Sequence, residues 1–208
     1  MTIRKGVLGG TFNPPHLAHL IVAHIVREAR GLDHVVLVPS HRHPFKGEAA
    51  ASPTDRALMV ELAVAGDAGL AADRIEVQRG GISYTVETLR LLQEREPDTD
   101  WTLCLGRDLV DELPAWREVG QLAALAEIVV VTRGGVEEES PPRLPDGTPC
   151  RVVPVPALGI SSTVIRERVA AGRSIRYWVP PGVEAFIHER GLYRPAGDGP
   201  GGPPSRPL

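Results

Sequence analysis

Short apolar segments alternate along the chain with longer amphipathic ones, and this alternation predicts an α/β protein with a doubly wound parallel sheet. The segments at residues 35–38 and 127–132 are apolar at almost every position, which is typical of parallel strands covered on both faces. Strands that alternate with helices imply right-handed crossovers, which place helices on both sides of one sheet.

The first strand–helix unit is clearly marked in the sequence. Residues 3–8 are predicted to form a strand, and a loop at 9–15 connects it to a helix at 16–30. Apolar residues in this helix recur at the three- and four-residue spacing of a buried face. Gly31 is a typical helix stop.

The later elements follow the same rules. Pro53 begins a helix that continues to about residue 65, with Thr54 and Asp55 in its first turn, a combination favoured at helix starts. Further helices are predicted at residues 85–94, 161–171 and 182–190. Including the segments above, the six predicted strands are at residues 3–8, 35–38, 74–77, 101–105, 127–132 and 150–155.

The length of 208 residues fits one domain with additions. We expect residues 1–194 to form a single domain. Residues 136–149 are rich in Glu, Pro and Gly and are predicted to form a solvated excursion. Residues 195–208 contain five prolines and four glycines, a composition that predicts a disordered tail.

Composition excludes several classes of protein. The chain has 23 Lys and Arg against 26 Asp and Glu, a net charge of −3, so no overall field favours nucleic acid. Cys104 and Cys150 are too few for a disulfide framework and indicate reduced thiols. No long apolar run or signal-type core suggests a membrane span or secretion. The sequence therefore predicts a cytoplasmic protein, and a homo-oligomer is compatible with it.

In a doubly wound sheet, ligands bind beyond the carboxyl ends of the strands. The loops expected to form the site are residues 9–19, 39–52, 80–85, 106–116 and 157–162.

The first of these loops has the features of a phosphate site. Gly9 and Gly10 let the backbone turn tightly and approach a ligand closely. The following helix start favours an anion, and His16 and His19 lie three residues apart on one side of its first turn. No Gly-x-Gly-x-x-Gly follows the first strand and no Gly-Lys-Ser/Thr occurs, which disfavours dehydrogenases and Walker-type NTPases.

Six of the seven histidines fall within the first 43 residues, but they do not predict a metal site. His16 and His19 have no nearby Cys or acid as a usual third ligand. His24 lies on the apolar stripe of its helix and is predicted to be a core histidine. His34 is expected to be a capping or exposed residue, and His41 and His43 belong to a loop that can close over a ligand.

A second phosphate loop is predicted before the helix at 161–171. Ser161 or Ser162 can cap this helix, and the amides of Ser162 and Thr163 can bind phosphate. Arg166, one turn further on, adds a planar guanidinium suited to phosphate.

The two loops together resemble the signatures of the nucleotidylyltransferase superfamily. Residues 9–19 resemble GGTFDPxHxGH, with Asn13 and Ala18 as departures, and residues 160–166 resemble ISSTxIR. The resemblance implies a Rossmann-like nucleotidylyltransferase fold, with His16, His19 and Arg166 as catalytic residues. It implies an ATP site formed by Gly9, Gly10, Thr11, Phe12, His16, His19, Lys46, Ile160, Ser161, Ser162, Thr163 and Arg166.

Further segments resemble the bacterial nicotinate-nucleotide adenylyltransferases. These segments are 83–89 (SYTVETL), 106–109 with Trp116, the pair 132–133, and the ending at 179–193. The resemblance implies transfer of AMP from ATP to nicotinate mononucleotide, with Mg²⁺ accompanying ATP and no metal site of the protein's own. It implies an acceptor site formed by Thr11, Tyr84, Thr85, Gly106, Asp108, Trp116 and Arg133.

Other functions remain open at this point. The same chemistry can serve nicotinamide mononucleotide or phosphopantetheine as the acceptor. The chain can also be a nucleotide-binding module without catalysis, or a protein that binds a metal through its histidine pair.

Overall fold

The computed structural model describes residues 2–45, 47–134 and 142–195. Within these residues, six strands form one parallel sheet: β1 (Ile3–Gly10), β2 (His34–Pro39), β3 (Leu70–Ala72), β4 (Thr99–Gly106), β5 (Glu127–Arg133) and β6 (Arg151–Val155). Their spatial order is β3-β2-β1-β4-β5-β6, and each neighbouring pair is parallel. The chain runs outward from β1 to β3 and then crosses back to β4. The strand order therefore reverses between β1 and β4, where a ligand crevice is expected.

Eight α-helices connect and cover these strands in the described part of the chain. They are α1 (Leu17–Arg30), α2 (Pro53–Val64), α3 (Ile75–Arg79), α4 (Thr85–Arg95), α5 (Arg107–Val110), α6 (Leu122–Leu125), α7 (Ser162–Ala170) and α8 (Pro181–Glu189). Two short 3₁₀ turns, Leu113–Ala115 and Val119–Gln121, lie between α5 and α6.

Local sequence explains where the main helices begin and end. At the end of α1, Gly31 adopts a left-handed conformation with φ of 58°, which glycine tolerates without steric cost. At the start of α2, the Ser52 hydroxyl accepts a hydrogen bond from the Asp55 amide at 3.1 Å. Pro53 then occupies the first helical position, where a missing N–H has no cost.

Apolar side chains fill both faces of the sheet. On one face, Val7 and Leu103 belong to the same buried cluster as Leu89 of α4. On the other face, Leu37 belongs to a cluster with Val26 of α1. A third cluster joins α2, α7 and α8, and its buried members include Met59, Ile165 and Ile187.

The third strand was predicted in the wrong place. Residues 74–77 are not a strand; most of them belong to α3, and the strand is formed by Leu70–Ala72 instead. The Asp73 carboxylate accepts a hydrogen bond from the Ile75 amide at 2.9 Å, a local bond that favours a helix start over an extended chain. The Glu76 carboxylate is also buried and accepts a hydrogen bond from the Thr88 hydroxyl at 2.6 Å, which holds α3 against α4.

The prediction for His24 was also wrong, whereas that for His34 is confirmed. The side chain of His24 is 36% exposed, and its Nε2 lies in hydrogen-bond contact with the Asp67 carboxylate at 2.7 Å, so a polar contact takes the place of core packing. His34 is exposed, and its Nδ1 lies 3.1 Å from the Ala68 carbonyl.

Two predicted segments lie wholly or partly outside the described residues. These are the excursion at 136–149, described only from residue 142, and the tail at 195–208, described only at residue 195. Within the described chain, no helix is both long and apolar enough to span a bilayer.

Candidate active site

A cavity of about 690 Å³ opens at the carboxyl ends of the central strands, where the strand order reverses. All five loops identified from the sequence contribute to its wall. The predicted site residues that line it are Gly9, Gly10, Thr11, Phe12, His16, His19, Tyr84, Thr85, Gly106, Asp108, Trp116, Arg133, Ile160, Ser161, Ser162, Thr163 and Arg166. Lys46 lies outside the described residues.

The first loop places an aromatic ring against Gly10, a position that has no room for a side chain. Phe12 has a positive φ of 48°, and its ring folds back over Gly10. A Cβ on Gly10 would lie only 3.1 Å from that ring, so a side chain at this position would displace it. The Phe12 ring in turn meets the His19 ring edge to face, with centroids 5.0 Å apart. Gly10 therefore supports the position of His19 indirectly.

The two histidines of the first loop form a stacked pair. Their ring centroids are 3.6 Å apart and the rings are inclined by 21°. The His16 amide donates a hydrogen bond to Nδ1 of His19 at 3.1 Å. Because Nδ1 accepts this bond, a neutral His19 carries its proton on Nε2, which remains a donor for a ligand.

Both imidazoles are neutral at pH 7. Burial lowers the pKa of His16 from its usual 6.5 to about 4, and the positive charge of Arg133 acts in the same direction. Burial also lowers the pKa of His19 well below its usual value, as do the neighbouring His16 and Arg133. Each ring therefore presents an N–H group as a hydrogen-bond donor, without a full positive charge of its own.

The second loop is bonded directly to the first. Ser161 caps α7, since its hydroxyl accepts a hydrogen bond from the Val164 amide at 3.3 Å. The Ser162 hydroxyl donates to the carbonyl of Pro14 at 2.8 Å, and Arg166 donates to the carbonyl of Asn13 at 2.8 Å. The structure therefore brings together two motifs that lie about 150 residues apart in the sequence, and their side chains fix the relative position of the loops.

The opposite side of the cavity has aromatic and charged groups. Trp116 lines the wall, and its indole N–H has no hydrogen-bond partner among the described residues. Tyr84 precedes the first residue of α4, and the guanidinium of Arg117 lies 4.9 Å from the centre of its ring. Asp108 is exposed, and a Cβ on Gly106 would collide with its carboxylate. Gly106 thus allows Asp108 to fold back over the end of β4.

Three residues at the site were not assigned a role from the sequence. Arg56 of α2 is buried and bonds to backbone carbonyls of two site loops. The Tyr193 hydroxyl donates to the Asn13 side chain at 2.9 Å. Glu76 lines the cavity, and burial raises the pKa of its carboxyl. Arg56 did leave one signal in the sequence, because it shares the apolar stripe of α2 with Met59 and Ala63.

No group of three or more His, Cys, Asp or Glu side chains in the described ranges is arranged to hold a metal ion. Mg²⁺ prefers octahedral oxygen ligands and usually keeps several waters while it binds substrate phosphates. Such an ion needs at most one or two carboxylates from the protein. The exposed Asp108 carboxylate at the cavity wall fits that requirement.

Comparisons with known proteins give a consistent result. The family model described as Cytidylyltransferase-like matches residues 7–168. A relative from Salinibacter ruber, named a probable nicotinate-nucleotide adenylyltransferase, is 43% identical over 192 residues that cover 91% of this chain and 97% of the relative. A relative of the same name from Gemmatimonas aurantiaca is 39% identical over 196 residues, covering 92% and 93% of the two chains.

Solved structures agree on the fold. The nicotinic acid mononucleotide adenylyltransferase of Plasmodium falciparum, solved in complex with NaAD, superposes with a TM-score of 0.74 at 19% sequence identity. The match covers 92% of this chain and 97% of the other. At that identity the likeness bears on the fold alone, and the predicted Rossmann-like nucleotidylyltransferase fold is confirmed.

Proposed function

Because the chain belongs to the nicotinate-nucleotide adenylyltransferase family, we propose that its cavity joins ATP to nicotinate mononucleotide, giving nicotinate adenine dinucleotide and pyrophosphate. The reaction is a step of NAD biosynthesis. The observation that carries the proposal is the contact between the two phosphate loops, in which Ser162 and Arg166 bond to the backbone just before the stacked histidine pair. That arrangement provides hydrogen-bond donors that can offset the repulsion between the phosphate groups of the two substrates.

The reaction is a displacement at the α-phosphorus of ATP. An oxygen of the mononucleotide's 5′-phosphate forms the new P–O bond, and the bond from the α-phosphorus to the bridging oxygen of the β-phosphate breaks. The electron pair of that bond leaves with pyrophosphate. The nucleophile is already an anion at pH 7, so no general base and no covalent enzyme intermediate are required. The protein contributes alignment and charge stabilisation.

The residues of the two loops fit these needs. We assign the Nε2–H of His19 and an N–H of His16 to the α- and β-phosphates, where charge builds up in the transition state. The amides of Ser162 and Thr163, together with Arg166, hold the leaving pyrophosphate. Arg166 keeps N–H groups available for phosphate. A guanidinium carries five N–H groups, and the bonds to Asn13 and Thr163 are made by two of its nitrogens.

The acceptor occupies the other side of the cavity. Trp116 offers a face on which a pyridine ring can stack, and the backbone amides near Tyr84 and Thr85 can bind its carboxylate. Asp108 can accept hydrogen bonds from ribose hydroxyls, and Arg133 can balance the charge of the mononucleotide phosphate. Thr11 lines the same cavity and is assigned to both the ATP site and the acceptor site.

ATP is expected to arrive with Mg²⁺, which neutralises phosphate charge when it is bound. Asp108 is the described carboxylate that we propose to help hold the ion, next to the substrate phosphates. We propose further that the enzyme acts in the cytoplasm and without nucleic acid. The two buried, unpaired thiols of Cys104 and Cys150 suit a reducing compartment.

The proposed function is tested by measuring pyrophosphate release with ATP and Mg²⁺ and one acceptor at a time. We expect rapid release with nicotinate mononucleotide and little with nicotinamide mononucleotide or phosphopantetheine. Release only with another acceptor would change the assigned substrate. ATP binding without release would make the protein a nucleotide-binding module, and a metal that co-purifies would favour a metal-binding function.

A further inference from the structure

Arg56 is the most completely enclosed charged side chain in the described part of the protein, with 2% of its surface exposed. Its guanidinium donates hydrogen bonds to four backbone carbonyls. Nη1 donates to Thr11 at 2.8 Å and to Ser40 at 2.6 Å, and Nη2 donates to His41 at 2.9 Å. Nε donates to Ala51 at 3.3 Å.

These carbonyls belong to separate segments of the site. Thr11 is part of the first phosphate loop, whereas Ser40 and His41 begin the loop that follows β2. Thr11 and Ser40 both line the cavity, but Arg56 is not among the described residues that line it. The guanidinium therefore lies behind the wall and links two segments whose other side faces the ligand.

The bond to Thr11 also orients the next peptide group. In a planar trans peptide, the C=O and the following N–H point in opposite directions. Since the Thr11 carbonyl faces Arg56, the Phe12 N–H is turned away from it, towards the cavity side. The hydroxyls of Thr11 and Ser40 are buried at the same wall and have no hydrogen-bond partner among the described residues.

No carboxylate forms an ion pair with Arg56 in the described residues. The nearby Glu76 carboxyl acts on it only through its electrostatic field, which raises the pKa of Arg56. Burial lowers the pKa of Arg56, but a guanidinium remains protonated at neutral pH. An unpaired buried cation is costly in a fold, and its carbonyl partners offset this cost only if the two loops keep their positions.

We propose that Arg56 is a positioning residue, which holds the first phosphate loop and the loop after β2 in the arrangement that aligns ATP for adenylyl transfer. This role rests on the proposed function, but Arg56 itself touches no substrate. It acts through the backbone of Thr11 and Ser40. The planar fork of the guanidinium is essential, because a single ammonium group cannot reach several carbonyls in fixed directions at once.

The test compares Arg56→Lys and Arg56→Ala with the native enzyme. We expect Arg56→Lys, which keeps the charge, to lower kcat for dinucleotide synthesis ~100-fold, since a misplacement of about 1 Å in a reacting group has an effect of that order. ATP affinity, measured separately by equilibrium dialysis, should fall as well. In Arg56→Ala, added guanidinium ion should restore at least about tenfold of the lost activity, because it alone has the matching fork geometry. Methylammonium at equal ionic strength should not.

Two control variants separate positioning from general destabilisation. Met59→Ala creates a cavity on the same helix but removes none of the carbonyl bonds of Arg56, and Arg74→Ala removes an ion pair with Glu61. We expect Met59→Ala to lower the urea midpoint of unfolding at least as much as Arg56→Lys does. Both controls should keep kcat within about threefold of the native value at temperatures where they are folded.

The results decide between the alternatives. Native kcat and ATP affinity in Arg56→Lys would overturn the proposal, because charge alone would then suffice. An activity loss in Met59→Ala equal to that in Arg56→Lys, or a lysine variant that does not fold, would make Arg56 a structural residue only. If the native enzyme makes no dinucleotide, the proposed function fails, and the ATP affinities of the variants still decide the role of Arg56.

Discussion

Burial sets the protonation state of the stacked imidazoles of His16 and His19, which we propose to be phosphate donors. A charged pair at a centroid distance of 3.6 Å would repel, and Arg133 adds further positive charge nearby. The protein avoids this cost by keeping both rings neutral. In the proposed reaction, phosphate oxygens meet these oriented N–H donors in a water-poor environment, where such donors stabilise developing charge most effectively.

Replacement of His19 tests this function at the level of one residue. We expect His19→Ala to lower turnover ~100-fold or more, the typical effect of losing one donor to a developing charge. The fold should survive, because the ring of His19 accepts one hydrogen bond, from the His16 amide, whereas the bonds from Ser162 and Arg166 to the same loop remain. His34→Ala, an exposed histidine on β2, is the matched control and should retain full turnover. Near-normal turnover in His19→Ala would contradict the assigned role.

The lowered pKa of His16 makes stability depend on pH. The unfolded imidazole binds a proton below pH 6.5, whereas the folded one resists protonation until about pH 4. The contribution of neutral His16 to the free energy of unfolding is therefore fully present above pH 6.5 and is lost as the pH falls towards 4. We expect His16 to account for about 3 kcal/mol of this loss, from the size of its pKa shift.

Urea unfolding of the native protein and of His16→Gln, measured between pH 4 and pH 7, isolates this contribution from that of the carboxylates. The free energy of unfolding of the native protein, relative to that of His16→Gln, should decrease as the pH falls from 6.5 towards 4. A difference that stays constant across this range would show that His16 is not held neutral by the fold.

Individual residues also mark where sequence reasoning stops. His16, His19, Ser162 and Arg166 belong to short contiguous motifs, so they could be found without a structure. Arg56 and Tyr193 act through contacts 45 and 180 residues away in the sequence. The position of Arg56 on an apolar stripe indicates burial but not a partner, because the roles of both residues depend on how distant segments meet in the fold.

At the level of secondary structure, long elements with clear periodicity were predicted correctly and a short one was not. The helix α1 and the strands β1, β2 and β5 follow from their apolar patterns. Residues 74–77 alternate charged and apolar residues and so suggest a strand, but the buried carboxylate of Glu76 and the local bond from Asp73 produce a helix. A three-residue strand at Leu70–Ala72 is too short to carry a pattern.

The Tyr193 side chain connects the segment after α8 to the first phosphate loop through a hydrogen bond. The Tyr193 hydroxyl donates to Oδ1 of Asn13, which also accepts from the Ala51 amide at 3.2 Å. We expect Tyr193→Phe to lower the free energy of unfolding by about 1 kcal/mol, the usual net value of one hydrogen bond. The KM for ATP should rise, because Asn13 also carries the carbonyl that Arg166 binds.

Tyr177→Phe is a matched control for this variant. Tyr177 has the same positive φ of 66° as Tyr193, but 78% of its surface is exposed. Its replacement should change neither stability nor the KM for ATP. If Tyr193→Phe behaves in the same way, the contact with Asn13 contributes nothing to the site.

Across the whole molecule, the order of the strands determines where chemistry occurs. The reversal between β1 and β4 brings the carboxyl ends of the central strands together, and loops from five parts of the sequence converge there. The alternation of strands and helices was sufficient to predict this arrangement. Net charge was uninformative, because the donors that we assign to phosphate are gathered at the carboxyl ends of the strands while the total charge is −3.

We propose that residues 1–194 form one domain that functions without the tail. A chain shortened to end at residue 195 retains every described contact of Tyr193 and should keep the native kcat and unfolding midpoint. Thermal unfolding and pyrophosphate release measure the two properties. A kcat lowered by more than about twofold would assign the Pro- and Gly-rich tail a role in the site. An unfolding midpoint lowered by more than a few degrees would assign it a role in the fold.

We propose that this cavity transfers the adenylyl group of ATP directly to the phosphate of nicotinate mononucleotide. Mass spectrometry of a reaction with ATP, Mg²⁺ and mononucleotide labelled with oxygen-18 in its phosphate tests it most directly. We expect one nicotinate adenine dinucleotide for each pyrophosphate, with all the label in the dinucleotide. Label in the pyrophosphate, or pyrophosphate formed without the dinucleotide, would contradict it.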